Sequence, residues 1–425
     1  MWLLLLGLYC GTPVSAQSAK PLTSPESSLR QHADSYFERK AYAHAAQLYS
    51  RIIASRPEDR QAIIRLADCY RMMREPQNAA RWYELAFQKT IPEDPEHLFN
   101  YASALCSSGR YQQAETWYSR YLEIKPGDPR AMAALEDLNN LKLLFDSRIE
   151  IEQIPIELHG PVFSPAILDG GLVFVGEGST GGLARAVTTW TEKPYLDLYY
   201  VPLGKNGKPG YPKYLDNNLN SLFHEGPVAF FDGGTRVILT RSASRKGQGH
   251  TRNLQLMIAE RKPSGSWSTP RKLFYHRNYS IGHPAINDDG TVIYFSSTQP
   301  GGYGGSDLYR SEYKNGNWSE PVNAGAEINT SGNELFPSLG PDGTLYFASD
   351  GHGGLGGLDI FSITPETGHK PVNMAYPVNS GNDDFGLVFE TDGDRGYFSS
   401  NRSGQDRIYK LEIRSQLVNA VVPVN

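Results

Sequence analysis

The sequence predicts two parts in series: an all-α solenoid of helical repeats, then an all-β propeller with five blades. The first observation is an alanine and tyrosine pattern that recurs about every 34 residues between positions 29 and 147. The second is a pattern of Pro, Asp-Gly and Tyr-Phe, in which Gly290 and Gly343 occupy the same place 53 residues apart. Fixed periods of these sizes are typical of repeated supersecondary units.

The composition is that of a folded protein without a charge signature for nucleic acid. Of the 425 residues, 39% are hydrophobic and 20% are charged, so both parts can be globular. The formal net charge is −5, whereas nucleic-acid binding usually requires a basic surface. We therefore expect no nucleic-acid partner.

Residues 1–16 have the pattern of a secretory signal peptide. An apolar run, MWLLLLGLYCG, precedes the small residues Val14 and Ala16, which predicts cleavage after Ala16. The run is too short to span a bilayer, so no transmembrane span is expected. A short buried helix is one alternative, and a lipoprotein anchored at Cys10 is another. Cleavage would leave only Cys69 and Cys106, which we interpret as two buried thiols rather than a disulfide.

Residues 17–28 are rich in Ser and Pro and are predicted to form a flexible leader, and residues 29–147 a solenoid with a capping helix. Small and aromatic residues recur there in register: Ala33, Ala67 and Ala102; Ala45, Ala79 and Ala114; Tyr49, Tyr83 and Tyr118. This is the tetratricopeptide pattern, in which small residues allow two antiparallel helices to cross closely and aromatics fill the space beside them. A last amphipathic helix, residues 129–146, would cap the final repeat.

Tetratricopeptide solenoids usually bind a peptide or a protein in a concave groove. The candidate groove residues of this chain are His32, Arg65, Arg71, Arg74 and Arg81. The alternative is that these side chains only form a solvated helix face.

Residues 148–413 are predicted to form the propeller, and residues 414–425 a tail. Five copies of the repeat centre on Gly171, Gly234, Gly290, Gly343 and Gly393, each with about four short strand-like runs. The last copy lacks a fourth run. The alternating segment at residues 148–156 would supply it and close the ring, with residues 418–425 as the competing candidate.

The residues that recur in the propeller repeat are mainly ones that form turns. Asp289-Gly290 is a hairpin signal, and the Gly-rich stretches 301–305 and 353–357 predict loops between the second and third strands. Asp307 and Asp359 follow these loops and are expected to accept hydrogen bonds from loop N–H groups. Trp267 and Trp318 lie in matching Gly-x-Trp-Ser-x-Pro runs, which predicts the same place in adjacent blades.

No catalytic constellation is evident, and we expect neither an enzyme nor a bound cofactor or metal. The sequence has no Gly-x-Ser-x-Gly elbow, no His-Glu-x-x-His motif and no Walker loop. Acidic clusters at residues 287–290 and 392–394 carry oxygen ligands that calcium prefers, but neither completes an EF-hand loop, and hairpin turns are favoured.

Three polar residues stand three positions before the repeat's Pro or its equivalent: His224, Glu334 and Asp384. Each follows an Asn-Ser or Asn-Thr pair and enters the innermost strand of its blade. We hypothesise that they crowd one mouth of the central channel and form a binding face. The alternative is that these residues cap turns between blades.

Blades with Pro, Asp-Gly, Tyr-Phe, a Gly-Gly turn and Asp-Leu-Tyr resemble the TolB-like propeller repeats of bacterial envelope proteins. Tetratricopeptide units directly before such a propeller resemble PorE-type proteins of the type IX secretion and gliding apparatus, over residues 29–413. The resemblance implies a periplasmic, outer-membrane-associated scaffold with envelope or outer-membrane protein partners. PorE-type proteins continue into a peptidoglycan-binding OmpA-like domain, and the sequence ends at Asn425 before one, so peptidoglycan contact is expected only through a partner. The alternatives are a carbohydrate- or peptide-binding propeller module and a hydrolase subunit.

Overall fold

The computed structural model describes residues 25–88, 94–139, 148–178, 194–244, 252–364 and 370–414. The predicted signal peptide, Cys10 and residues 415–425 of the predicted tail lie outside the described residues. The two predicted architectures are both present: an α-helical repeat region comes first and a five-bladed propeller follows.

The described part of the repeat region has seven helices. They are α1 (Pro25–Glu38), α2 (Tyr42–Ser55), α3 (Arg60–Met72), α4 (Pro76–Phe87), α5 (Glu96–Cys106), α6 (Tyr111–Ile124) and α7 (Pro129–Asn139). α1 begins inside the predicted leader, at a proline, whose fixed φ suits the first helical position.

The recurring small and aromatic residues are buried where the helices cross. Ala33, Ala67 and Ala102 are completely buried, as are Tyr49 and Tyr83. The two tyrosines donate hydrogen bonds to carboxylates one helix away, over 2.6 Å to Asp34 and 2.5 Å to Asp68. A large buried aromatic therefore keeps its hydroxyl satisfied. Cys69 and Cys106 are free and buried, which confirms the predicted pair of thiols.

The turns between the paired helices share one left-handed residue. Lys40, Arg74 and Gly109 lie at this place in successive repeats, with φ of 59°, 58° and 72°. Only glycine adopts this conformation freely, so lysine and arginine carry a backbone cost there.

Five antiparallel sheets form the blades. The four strands of blades 1, 2, 3 and 4 run in chain order from the centre outwards, and blade 3 has one extra strand. Blade 1 comprises β2 (Val162–Leu168), β3 (Gly171–Glu177), β4 (Leu196–Pro202) and β5 (Lys213–Tyr214), and blade 2 comprises β6 (Glu225–Phe231), β7 (Arg236–Ser242), β8 (Leu254–Glu260) and β9 (Arg271–Phe274). Blade 3 comprises β10 (Ile281–Ile286), β11 (Val292–Ser297), β12 (Asp307–Lys314), β13 (Asn317–Trp318) and β14 (Val322–Asn323). Blade 4 comprises β15 (Glu334–Leu339), β16 (Leu345–Ser349), β17 (Asp359–Ile363) and β18 (Val372–Asn373).

Blade 5 closes the ring with a strand from the start of the propeller. It contains β19 (Asp384–Phe389), β20 (Arg395–Ser400), β21 (Arg407–Ile413) and, outermost, β1 (Ile149–Gln153). β1 pairs antiparallel with β21, from Ile149 opposite Ile413 to Gln153 opposite Tyr409. This confirms that the segment at residues 148–156 supplies the missing fourth strand, which removes two open sheet edges.

The propeller core lies between neighbouring blades. Each second strand places one large apolar side chain there, and all five are at most 1% exposed: Phe174, Leu239, Phe295, Phe347 and Phe398. Trp267 pairs with Arg261 and Trp318 with Tyr313, and these places match in adjacent blades, as predicted.

The innermost strands share a β-bulge. In four blades a left-handed residue forms it, namely Ser164, His283, Phe336 or Gly386. Blade 2 has Pro227 at this place, and its register shift falls between Glu225 and Val228. Proline cannot take a positive φ, so blade 2 makes the same bulge with a different backbone.

Candidate binding surfaces

The five innermost strands line a central channel with a cavity of about 180 Å³. We call the end where these strands begin the solenoid-facing mouth, because the turn at residues 73–75 lies over it beside Phe163, Phe336 and Phe385. We call the other end the hairpin mouth, because the turns between first and second strands surround it.

A buried carboxylate is the first residue of three of the five innermost strands. Glu225, Glu334 and Asp384 are completely buried. Each accepts hydrogen bonds from the backbone N–H and the hydroxyl of the Ser or Thr four residues earlier: the hydroxyl distances are 2.6 Å from Ser221, 2.6 Å from Thr330 and 2.8 Å from Ser380. Glu334 and Asp384 thus stabilise the turns between blades, and whether they also bind a partner stays a prediction.

The register corrects the sequence alignment of blade 2. Glu225 lies opposite Arg241, as Glu334 lies opposite Ser349 and Asp384 opposite Ser400. Glu225, and not His224, is therefore the structural equivalent of the other two. The alignment on proline failed because Pro227 occupies the bulge position, whereas the other prolines follow it.

His224 lies beside the solenoid-facing mouth and is half-buried. Its Nδ1 accepts a 3.2 Å hydrogen bond from the Leu196 N–H, and its ring meets Tyr195 edge-on at 4.5 Å. Burial lowers the pKa of His224 to about 4, so the ring is neutral at pH 7. It lines an opening of about 820 Å³ that also reaches Arg74 and Asp406.

The asparagine before each Ser or Thr acts on the third strand of the preceding blade. Asn329 accepts from the Leu308 N–H at 2.7 Å and donates to the Leu308 carbonyl at 2.9 Å. Asn379 does the same with Ile360, at 2.7 and 2.8 Å. The Asn-Ser/Thr pairs therefore join neighbouring blades.

The three carboxylates differ in their electrostatics. Arg241 donates to Glu225 over 2.8 Å, and Arg402 donates to Asp384 over 2.6 Å. Among the described residues no cation pairs with Glu334, which accepts instead from the Ser349 hydroxyl at 2.8 Å. Burial raises the pKa of both Glu334 and Glu225 to about 7, so the pairing with Arg241 does not separate the two in this respect.

The solenoid docks on the solenoid-facing mouth through Arg74. The Arg74 guanidinium donates to Asp383 over 2.6 Å, although 309 positions separate the two residues. Asp383 is fixed by the Leu358 N–H at 2.9 Å and by Asn401. Asp406 and Asp350 add to the negative potential around Arg74. Arg74 of the solenoid therefore meets an acidic site on blades 4 and 5.

Close backbone approach extends this contact. A methyl group at Gly353 would lie 2.7 Å from the Ala133 Cβ of α7, and Gly353 has φ of 86°. A methyl group at Gly381 would lie 2.5 Å from the Tyr111 hydroxyl of α6. Both positions require glycine, because any side chain would force the solenoid away.

A cleft of about 440 Å³ remains between the two parts. On the solenoid side it is lined by residues of α3, α5 and α7, including Arg71, Asn100 and Arg130; on the propeller side it is lined by Asn333 and Asp350, among others. The first helices of repeats 2 and 3 therefore face the propeller.

The five candidate groove residues separate into two sets. Arg71 and Arg74 line the cleft. Arg65 is half-buried with its guanidinium 4.6 Å from the Phe37 ring, Arg81 is exposed 5.9 Å from the Trp82 ring, and His32 is exposed on α1. The structure thus does not bring all five to one site.

The hairpin mouth is the larger opening, at about 1060 Å³. Its acidic clusters form turns: Asp289 accepts from the Thr291 N–H at 3.0 Å, and Asp392 accepts from the Asp394 N–H at 3.1 Å. Asp307 and Asp359, at the other end of the blades, accept from loop N–H groups as predicted, with 2.6 Å from Tyr303 and 3.0 Å from Gly356.

Comparison with known proteins gives a family-model match within the helical region and distant likenesses to solved structures. A tetratricopeptide-repeat family model matches residues 30–90 and 85–129. No curated protein matches the chain. The first tetratricopeptide domain of Spaghetti (RPAP3), bound to an HSP90 peptide, is 18% identical, with 28% of this chain and 93% of that chain covered and a TM-score of 0.25.

Two further solved structures cover more of the chain. A GH43 β-xylosidase/α-arabinofuranosidase from a compost microbial metagenome is 12% identical, with 62% of this chain and 94% of that chain covered and a TM-score of 0.39. Puromycin hydrolase is 15% identical, with 57% and 35% covered and a TM-score of 0.34, so the match spans about a third of that enzyme.

Among the described helices, none is long and apolar enough to cross a membrane. Within the same part of the chain, no three or more His, Cys, Asp or Glu side chains are grouped so that they could hold a metal ion.

Proposed function

We propose that this protein is a non-enzymatic scaffold that joins protein partners in a bacterial envelope assembly. The observation that carries the proposal is the fusion of two interaction architectures, a tetratricopeptide region and a propeller, which meet through Arg74 and Asp383. Such solenoids and propellers commonly bind proteins with extended surfaces and loops.

The system we propose is type IX secretion or gliding, with the protein in the periplasm near the outer membrane. The resemblance to PorE-type proteins supports this assignment, and the signal-peptide pattern of residues 1–16 supports export.

A cross-linked pull-down of the tagged, secreted protein from its native envelope tests the proposal. We expect mass spectrometry to identify outer-membrane secretion or gliding components. Recovery of cytoplasmic proteins alone would contradict the scaffold role. Assays with generic peptide and ester substrates should show no turnover above buffer, and turnover that survives repurification would contradict the non-enzymatic assignment.

A carbohydrate- or peptide-binding module is the second candidate, because the hairpin mouth offers about 1060 Å³ beside Arg395, Tyr397 and Lys410. Cationic side chains are common in sites for polar ligands. Glycan or peptide that co-purifies in place of a protein partner would favour this role, and its release by Arg395→Ala would locate it.

A further inference from the structure

The surface of the solenoid that a groove ligand would use is already occupied. Arg71 of α3 and Arg74 of the turn that follows it line the cleft against blades 4 and 5. Arg74 has a carboxylate partner in Asp383 at 2.6 Å, and Gly353 and Gly381 bring the propeller backbone against α7 and α6. The propeller therefore holds the position that a bound protein would hold.

The chemistry of the contact defines what could replace the propeller. Asp383 supplies the carboxylate for Arg74, and Asp350 and Asp406 surround the same guanidinium. The Arg74 side chain is 48% exposed and that of Asp383 is 14% exposed, so the arginine reaches into the acidic site from solvent. A ligand that displaces blades 4 and 5 must offer Arg74 an equivalent negative charge.

We propose that the propeller is an intramolecular ligand of the solenoid, and that an outside partner of this face is an acidic peptide segment that binds only when the two parts separate. The inference rests on the proposed scaffold role and adds to it the chemical class of one partner. Docking then controls access to the solenoid, because the propeller and the peptide compete for Arg74.

The test uses synthetic hexaglutamate as the acidic probe, with hexaglutamine as the uncharged probe, on the full chain. Asp383→Asn removes the charge and keeps an acceptor for the Leu358 N–H. Asp392→Asn removes one charge at the hairpin mouth and is the matched control. Arg74→Ala is the partner variant; its side chain is half exposed, so folding should survive, which circular dichroism checks.

We expect Asp383→Asn to bind hexaglutamate about three- to fivefold more tightly than the unaltered protein, the gain that loss of a partly exposed ion pair allows, and Asp392→Asn to bind like the unaltered protein. The double variant Arg74→Ala with Asp383→Asn should lose the gain, and hexaglutamine should not bind. Equal affinities in the unaltered protein and Asp383→Asn, or a gain that survives loss of Arg74, would overturn the inference. If either of these contradicting results is obtained while envelope partners are still recovered in the pull-down, only the acidic-ligand inference is overturned. The scaffold role then stands.

Discussion

Two loops of nearly identical sequence differ in what covers them. The loop at residues 301–305 of blade 3 and the loop at residues 353–357 of blade 4 both have Gly-Gly-x-Gly-Gly before an aspartate. The central residue of the first, Tyr303, is 53% exposed, whereas that of the second, Leu355, is 4% exposed.

The environment within the propeller does not explain this difference. A methyl group at Gly304 would meet the carbonyls of Gly332 and Thr330, and one at Gly356 would meet the backbone of Gly381 and Asn382, so both loops lie against the next blade in the same way. Among the described residues, Gly353 of the second loop also meets α7, whereas the equivalent Gly301 of the first loop meets nothing within 4 Å. The blade repeat therefore fixes the loop, and the loop that meets the solenoid is the one whose central side chain is buried.

The largest expected effect is at the central residues. Leu355→Ala should lower the free energy of unfolding by about 2–5 kcal/mol, because it empties a buried site. Tyr303→Ala should change it by at most about 0.5 kcal/mol, because the side chain is mostly solvated. Urea titration of both variants measures the pair, and similar losses would mean that the loops are equally covered.

The flanking glycines allow a finer separation. Gly353 and Gly301 have φ of 86° and 91°, so alanine carries about the same backbone cost at both. At Gly301 a methyl group would meet nothing within 4 Å, whereas at Gly353 it would meet Ala133 at 2.7 Å. Gly353→Ala should therefore cost about 1–3 kcal/mol more than Gly301→Ala in thermal unfolding. An equal cost would argue against contact between this loop and α7.

The stability that the contact between α7 and the blade 4 loop provides should also depend on pH. Asp137 of α7 lies against Gly353, and burial, with a smaller contribution from Glu136, raises its pKa from 3.8 to about 6. Because the pKa of Asp137 is higher in the folded than in the unfolded protein, its contribution to the free energy of unfolding is fully present below about pH 4. This contribution is lost as the pH rises through 6.

Asp137→Asn should accordingly stabilise the protein by roughly 1–2 kcal/mol at pH 8, after allowance for solvent screening, and by almost nothing at pH 4. Unfolding free energies at the two pH values measure this, and Glu136→Gln, which removes the same charge one position away at an exposed site, is the control. A gain of equal size at both pH values would contradict the assignment.

The smallest expected effect separates the two cationic turn residues. Lys40→Gly should raise the free energy of unfolding by about 1 kcal/mol, because glycine removes the left-handed strain. Arg74→Gly gains the same amount but loses the ion pair with Asp383, worth about 0–1 kcal/mol at its exposure. Its net gain should therefore lie between zero and about 1 kcal/mol, below that of Lys40→Gly. Melting temperatures compare the two, and an equal rise in both would mean that Arg74 contributes nothing to docking.

The sequence predicts the repeats well because local residue patterns within each repeat determine how that repeat packs. Alanines at helix crossings and Asp-Gly at hairpins are local signals. The absence of a fourth strand-like run from the last copy of the repeat indicated closure by the segment that forms β1. Blade 2 misled the alignment because Pro227 stands in the bulge instead of after it. The Glu225 and Arg241 pair, opposite each other across two strands, was the signal that would have corrected it.

Docking could not be predicted in the same way. In the sequence, nothing distinguishes Arg74 from the other candidate groove arginines. Asp383 is likewise marked only by its position next to Asp384. Nothing local couples two residues 309 positions apart. The one available sign was the replacement of Tyr303 by Leu355 between otherwise matching loops, which exchanges a side chain suited to solvent for one suited to burial.

Hydrogen exchange of the unaltered protein tests the central claim most directly. Mass spectrometry would compare the amides of residues 353–357 with those of residues 301–305, whose hydrogen bonds to Asp359 and Asp307 are of the same kind. Docking predicts at least tenfold slower exchange in the blade 4 loop, because the solenoid covers it. Equal exchange in the two loops would contradict a docked solenoid.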